Sequence, residues 1–218
     1  MAGVEIDNFI NGEFVPPSTG QYMDVTAPAT GKVCAKVAVS SISDVEKAVA
    51  AAKAAFPAWS SLTIKSRAAK MFKLHHLIQQ NAEELAKLAT LENGKTMMES
   101  LASVAKGNET VEWACSLPHI AQGKTLMVSR GVQCQDQLDP VGVVASIVPF
   151  NFPIMVPMWT VPIALTVGNV VICKPSEKCP MTMNLVAKLM KEAGIPDGVF
   201  QIINGQVEAV NGIIDSPD

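Results

Sequence analysis

The chain contains no run of lysine and arginine, no Cys-x-x-Cys pair and no Gly-x-Gly-x-x-Gly turn. Each absence closes off a class of function. Without a basic run, and with a net charge of −3, there is no electrostatic footprint for nucleic acid or for an anionic membrane surface. The expected partners are small molecules and other copies of the chain. The five cysteines, Cys34, Cys115, Cys134, Cys173 and Cys179, are odd in number and irregularly spaced. The three histidines, His75, His76 and His119, complete no metal-ligand spacing with them. Free thiols in a reducing compartment are therefore expected, and no metal site. The missing glycine turn means that the phosphates of any bound dinucleotide must be held by other means. Residues 1–12 lack an apolar core flanked by basic residues, so neither a secretory leader nor a mitochondrial presequence is read there. The expected location is the cytoplasm, or the mitochondrial matrix in a eukaryote.

Charge is also missing locally. Residues 140–173 carry no charged side chain, which on hydropathy alone resembles a membrane span. Pro149, Pro153, Pro157 and Pro162 fall inside that stretch. Each removes a backbone donor and strains a helix, so a plain transmembrane helix is excluded. The stretch reads instead as a buried strand, a loop, a helix and a second buried strand, as expected for parallel strands covered on both faces.

What is present is enough for a packed α/β domain: 218 residues, 49% of them apolar. Residues 8–39 read as short strands, with a turn at Asn11-Gly12. Ser43-Asp44-Val45-Glu46 has the form of a capping box. Val45, Ala48, Val49, Ala52 and Phe56 then recur at helical spacing until Pro57, where that helix is expected to end. Further helices are expected at 63–80, with Ala68, Met71, Phe72 and Leu74 or His75 inward, then from Asn81 to a stop at Gly94, and at 97–115. Asn108-Glu109-Thr110 has the form of a glycosylation sequon but falls inside the last of these helices. Residues 124–138 read as a polar-faced hairpin turning near Arg130-Gly131, an exposed arm that a partner subunit would cover. After Pro140 the rhythm is β-α-β-α-β-α: strands at 141–148, 170–174 and 199–203, and helices at 154–167, 181–193 and 207–214. Such alternation makes a parallel sheet with right-handed crossovers. Three parallel strands are few for this class. The ending on Ser216-Pro217-Asp218 suggests a cut, with the last strand left unpaired. The expected division is 1–123 as strands and a helical layer, 124–140 as the arm, and 141–218 as the first three β-α units of a Rossmann-type sheet.

Ligands of open α/β sheets bind beyond the carboxyl ends of the strands. Two groups stand there. In Pro149-Phe150-Asn151-Phe152-Pro153, the Asn151 amide between two prolines is either a fixed donor for a developing oxyanion or a cap of the next helix. In Lys174-Pro175-Ser176-Glu177, the carboxylate can accept from ribose hydroxyls while the ammonium donates, or the two form an ordinary ion pair. Cys173 reads as core, and Cys179 has no histidine near it in sequence.

Together these segments resemble the aldehyde dehydrogenase superfamily. Phe9-Ile10-Asn11-Gly12, Glu92-Asn93-Gly94-Lys95, the two groups above and Ala193-Gly194-Ile195-Pro196-Asp197-Gly198-Val199 follow in the family's order along the whole chain. Phe150 in place of the more usual Trp, Val156-Pro157-Met158-Trp159, and Gly205-Gln206-Val207-Glu208-Ala209-Val210-Asn211 are most similar to the methylmalonate-semialdehyde dehydrogenase subgroup. The resemblance implies an aldehyde dehydrogenase-like α/β fold with an oligomerisation hairpin, NAD as cofactor and coenzyme A as co-substrate. It implies oxidative decarboxylation of malonate or methylmalonate semialdehyde to acetyl-CoA or propionyl-CoA, in valine, pyrimidine or inositol breakdown, by a homodimer or homotetramer. It assigns Asn151 to the oxyanion hole. It assigns Val148 and Phe150 to backbone contacts with the cofactor. Lys174 and Glu177 fall to the adenosine ribose, with Lys178 beside them where the family usually carries Arg. At the position of the subgroup's carboxylate-binding Arg stands Lys106, which keeps the charge but loses the bidentate fork. The phosphate turn, the nucleophilic cysteine segment and the later strands of the family have no counterpart in these residues. Without the thiol no aldehyde oxidation is expected of the chain alone. Two other readings stay open: a non-acylating aldehyde dehydrogenase, and a short nucleotide-binding or subunit-pairing module without catalysis.

Overall fold

The structure is a computed structural model that describes residues 3–217. Met1, Ala2 and Asp218, on which the readings of the two chain ends partly rest, lie outside the described residues. The N-terminal strands are β1 (Glu5–Ile6), β2 (Asn8–Ile10), β3 (Glu13–Val15), β4 (Tyr22–Ala27) and β5 (Lys32–Ala38). Asn11 and Gly12 turn β2 into β3, with φ of 51° and 80°. Positive φ at both central residues matches the right-handed twist of the flanking strands, which is why Asn-Gly suits this hairpin.

A helical layer follows: α1 (Ile42–Ser60), α2 (Ile64–Gln80), α3 (Ala82–Asn93), α4 (Met97–Cys115) and a one-turn α5 (Leu117–Ile120). The cap of α1 lies at Ser41, two residues before the expected box. The Asp44 carboxylate accepts from the Ser41 N–H at 3.1 Å, and from the Ser18 N–H and hydroxyl at 3.0 and 2.8 Å. Pro57 does not end α1. The helix runs through it to Ser60, because the buried Trp59 is held by its indole N–H on the Leu165 carbonyl at 3.1 Å. In α2, Met71, Leu74 and Ile78 are buried, but Phe72 is 60% exposed; it sits beside the inward stripe, not in it. Gly94 ends α3 in the left-handed conformation (φ 83°), as expected of a glycine helix stop.

The hairpin of β6 (Lys124–Ser129) and β7 (Val132–Asp136) forms a two-stranded sheet by itself, and every residue of both strands is exposed. Then come β8 (Val143–Ile147), α6 (Met155–Thr166), β9 (Val170–Lys174), α7 (Met181–Glu192), β10 (Phe200–Ile202) and α8 (Val207–Ile214). The main sheet runs β3-β2-β10-β9-β8, with β10, β9 and β8 parallel and β2 antiparallel to β10. Every residue of β9, the middle parallel strand, is buried. That accounts for its unbroken apolar run. The expectation that the last strand stands unpaired is wrong. β2 covers β10, and among the described residues the sheet ends on β3 and β8. A second sheet, β1-β5-β4, packs a smaller core of Ile6, Val25, Val37 and neighbours. Among the described residues no helix is long and apolar enough to cross a membrane.

Candidate active site

The chemistry-bearing residues gather where β8 and β9 end. Lys174, the last residue of β9, is 4% exposed. Its ammonium meets the Glu177 carboxylate at 3.2 Å, across the turn that leads to α7. Burial raises the pKa of Glu177, but its own backbone N–H, Lys174 and then Lys178 outweigh burial and leave it below the usual carboxylate range. The pair faces a cavity of about 460 Å³ whose other walls are Val39, Ser40, Gln206, Val207, Glu208 and Val210. Three valines give it an apolar side; the Lys–Glu pair and Ser40 give it a polar one. Such a mixture suits a flat base joined to a sugar.

The loop from β8 to α6 carries the second group. Val148 is buried, and its N–H is engaged by the Lys174 carbonyl at 3.1 Å. Phe150 is half-exposed, and the Lys178 ammonium stands 5.0 Å from its ring. Phe150, Glu177 and Lys178 share a second cavity of about 340 Å³ with Glu92, Asn93 and Cys179. Asn151 is exposed in the loop. It caps no helix by side-chain hydrogen bond, since the cap of α6 is Ile154.

Lys106 lies apart from these two cavities. It opens on a cleft of about 510 Å³ between α4 and α6, with Glu109, Thr110, Trp113, Met155, Trp159 and Ile163. The structure thus brings together Phe150, Lys174, Glu177 and Lys178, and sets Lys106 on the α6 side of the same loop. The Lys106 ammonium is 2.8 Å from Glu109.

What sequence reasoning missed is the work of Glu92 to Lys95, read there only as a helix stop and a family signature. Glu92, 2% exposed, reaches from α3 to the start of α7. Its carboxylate accepts from the Met181 N–H at 2.6 Å, from the Thr182 N–H at 3.0 Å and from the Thr182 hydroxyl. A helix N-terminus leaves such N–H groups without partners, and a carboxylate complements both their geometry and their dipole. Burial nevertheless pushes the Glu92 pKa up to about 7, against the pull of Thr182 and Met181. The Asn93 amide donates to the Phe150 carbonyl at 2.7 Å, and the Lys95 ammonium sits 3.6 Å from the centre of the Phe152 ring. Three consecutive side-chain contacts, hinged on Gly94, therefore fix both the β8–α6 loop and the β9–α7 turn. The acidic residue at a helix end before glycine was the available signal. Its partners lie 89 and 90 positions away, beyond any local pattern.

The cysteines stand differently from a nucleophile. Cys179 adjoins the site but is 2% exposed, and burial followed by Glu92 pushes its thiol up to about 12. Burial pushes Cys173 up to about 12 and Cys115 to about 11, and raises Cys34. Cys134 is exposed, but on the hairpin. Thiolates, not thiols, attack carbonyls.

Parallel strands joined by helices, with a buried Lys–Glu pair at their carboxyl ends, define a protein of the α/β class. Residues 14–218 match the aldehyde dehydrogenase family, and the chain belongs to it. It is 46% identical over 214 residues to the malonate-semialdehyde dehydrogenase of Lacticaseibacillus casei, and 44% identical over 215 residues to that of Bacillus velezensis. Each alignment takes in 98% of this chain and 44% of the relative, so the chain spans less than half the length of these relatives. The solved structure of a methylmalonate-semialdehyde dehydrogenase from Oceanimonas doudoroffii superposes with a TM-score of 0.96 at 38% identity, over 98% of this chain and 44% of that one. The indole-3-acetaldehyde dehydrogenase of P. syringae, solved with NAD+, gives 0.93 at 36% identity, over 96% of this chain and 43% of that one.

Proposed function

We propose that the chain is the coenzyme-binding portion of an NAD-dependent, CoA-acylating (methyl)malonate-semialdehyde dehydrogenase. The observation that carries this reading is the buried Lys174–Glu177 pair at the carboxyl end of β9, facing a cavity with an apolar wall. The kinship with malonate-semialdehyde dehydrogenases supports the substrate, and the NAD+ complex of a relative supports the cofactor. Glu177 would accept from the ribose hydroxyls and Lys174 would donate to them. Val39, Val207 and Val210 would flank the base. NAD supplies the hydride acceptor when bound. The loop held by Asn93 would present the Asn151 amide, pre-oriented, to the aldehyde oxygen. Lys106 would meet the substrate carboxylate at the α4–α6 cleft; since it already pairs with Glu109 and lacks the guanidinium fork, that grip is weaker than an Arg would give. The acyl group passes to coenzyme A and the substrate carboxyl leaves as carbon dioxide. None of the chain's thiols suits the nucleophile for this sequence, since four are buried and Cys134 stands on the hairpin.

The hairpin supports assembly into a homodimer or homotetramer. It exposes Leu126, Met127, Val128 and Val132 together, and a lone two-stranded sheet is marginal in water without a cover.

Calorimetric titration of the 218-residue chain with NAD tests the cofactor site. Saturable binding is expected, weakened roughly tenfold or more in Glu177→Gln, which removes a charge-assisted hydrogen bond. No binding, or equal binding by the variant, would sink the assignment. With semialdehyde, coenzyme A and NAD present, no NADH should form; its appearance would show that one of these thiols serves.

A further inference from the structure

We infer that Glu208 makes the Lys174–Glu177 cavity selective for a ribose with free hydroxyls, against one carrying a 2′-phosphate. This deepens, and rests on, the reading of that cavity as the adenosine site. The charge of its wall is the argument. One cation, Lys174, and two carboxylates, Glu177 and Glu208, line it. Lys174 is buried and held by Glu177 at 3.2 Å, so its charge is matched within the wall. Lys178, the next cation along the chain, faces the neighbouring cavity over the Phe150 ring at 5.0 Å. The carboxylate of Glu208, in the first turn of α8, is thus left as the net charge of the wall.

A phosphate monoester carries close to two negative charges near neutral pH. A site built for one presents Arg or Lys around it, with forked donors to its oxygens. This wall offers the opposite: acceptors for hydroxyl donors, and a second carboxylate that repels an anion. The effect is electrostatic, so it weakens as salt shortens the reach of the charge. An acid in the first turn also stabilises its own helix through the dipole, but that role would alter neither the choice between ligands nor its dependence on salt.

The test compares adenosine 5′-monophosphate with adenosine 2′,5′-bisphosphate by calorimetry on the 218-residue chain, at low salt and at about 0.5 M salt. At low salt the monophosphate should bind about tenfold or more tightly than the bisphosphate, and the preference should shrink at high salt. Glu208→Gln should narrow the ratio at low salt, and Glu208→Lys should narrow it further or invert it. Equal binding of the two nucleotides to the unaltered chain, or an unchanged ratio in Glu208→Gln, overturns the inference while the adenosine site stands. Failure of both nucleotides to bind overturns the adenosine site itself, and the selectivity with it.

Discussion

Glu92→Ala will lower the unfolding free energy by about 3–5 kcal/mol, among the largest effects expected of a single residue here. The variant leaves two N–H groups at the start of α7 and the Thr182 hydroxyl without the acceptor that now takes all three. Each buried donor left unpaired costs about 1–3 kcal/mol. Urea denaturation measures the loss; a change below about 1 kcal/mol would show that water or a neighbouring group takes over the role. The same residue imposes a pH dependence. Its folded pKa, about 7, is raised from the ordinary glutamate value of about 4.5. Below about 4.5 both states hold the proton. Between about 4.5 and 7 the folded state holds a proton that the unfolded chain has released, so stability falls as pH rises, by up to about 1.4 kcal/mol per unit. Above about 7 this slope ends. Glu177, whose folded pKa is lowered, acts in the other direction and only as pH falls below the ordinary carboxylate range. Glu92→Gln keeps the shape and removes the titration. Its midpoint should lose the decline between pH 5 and 7, and an unchanged decline in that variant would place its origin elsewhere.

Arg67→Ala is expected to cost a similar amount, about 3–5 kcal/mol. The Arg67 side chain is buried between the ends of two helices. Its Nε–H donates to the Thr166 carbonyl at 2.9 Å, at the close of α6. Its Nη1 donates to the Ser60 carbonyl at 3.0 Å, to Trp59 at 3.4 Å and to Leu62, around the close of α1. The last carbonyls of a helix lack partners within it and carry the negative end of its dipole, so a cation there answers both needs. Burial lowers the guanidinium pKa, yet an Arg keeps its charge where a Lys would release its proton. Gly168 gives the group its room: a Cβ there would stand 3.3 Å from the Arg67 guanidinium carbon. Arg67→Lys should recover only part of the loss, because an ammonium cannot reach both helix ends at once. Thermal unfolding of the two variants decides this, and full recovery by lysine would show that charge alone, not the fork, joins α1 to α6.

The helices and the parallel strands were legible in the sequence because their signals are local. The apolar run of Val170 to Cys173, the stop at Gly94 and the periodic face of α4 each follow from residues within one turn or one pleat. Pro57 misled because a proline in the last turn forfeits a single hydrogen bond, and Trp59, anchored on Leu165, outweighs that loss. Phe72 misled because helical spacing fixes an angle but not where a buried stripe ends. The candidate site was legible as positions: Lys174 at the end of β9, Glu177 in the turn after it, and Asn151 in the loop after β8. The side chains that hold those segments, Glu92, Asn93 and Lys95, were not. Their partners are supplied by tertiary contact, and the one local signal, an acid at a helix end before glycine, does not say where those partners lie.

The pairing of β2 with β10 has a consequence for how the chain reaches this state. The Asn11 N–H donates to the Gln201 side chain 190 positions away, and Asn8 Oδ1 accepts from the Asn204 N–H 196 positions away. Neither contact gains free energy until the intervening loop is closed, and that entropy must be lost first. The first hairpin of the chain is therefore among the last pieces to lock. On a ribosome it waits, edge unprotected, for the strand that will accept it, while the helices between them form from contacts close in sequence.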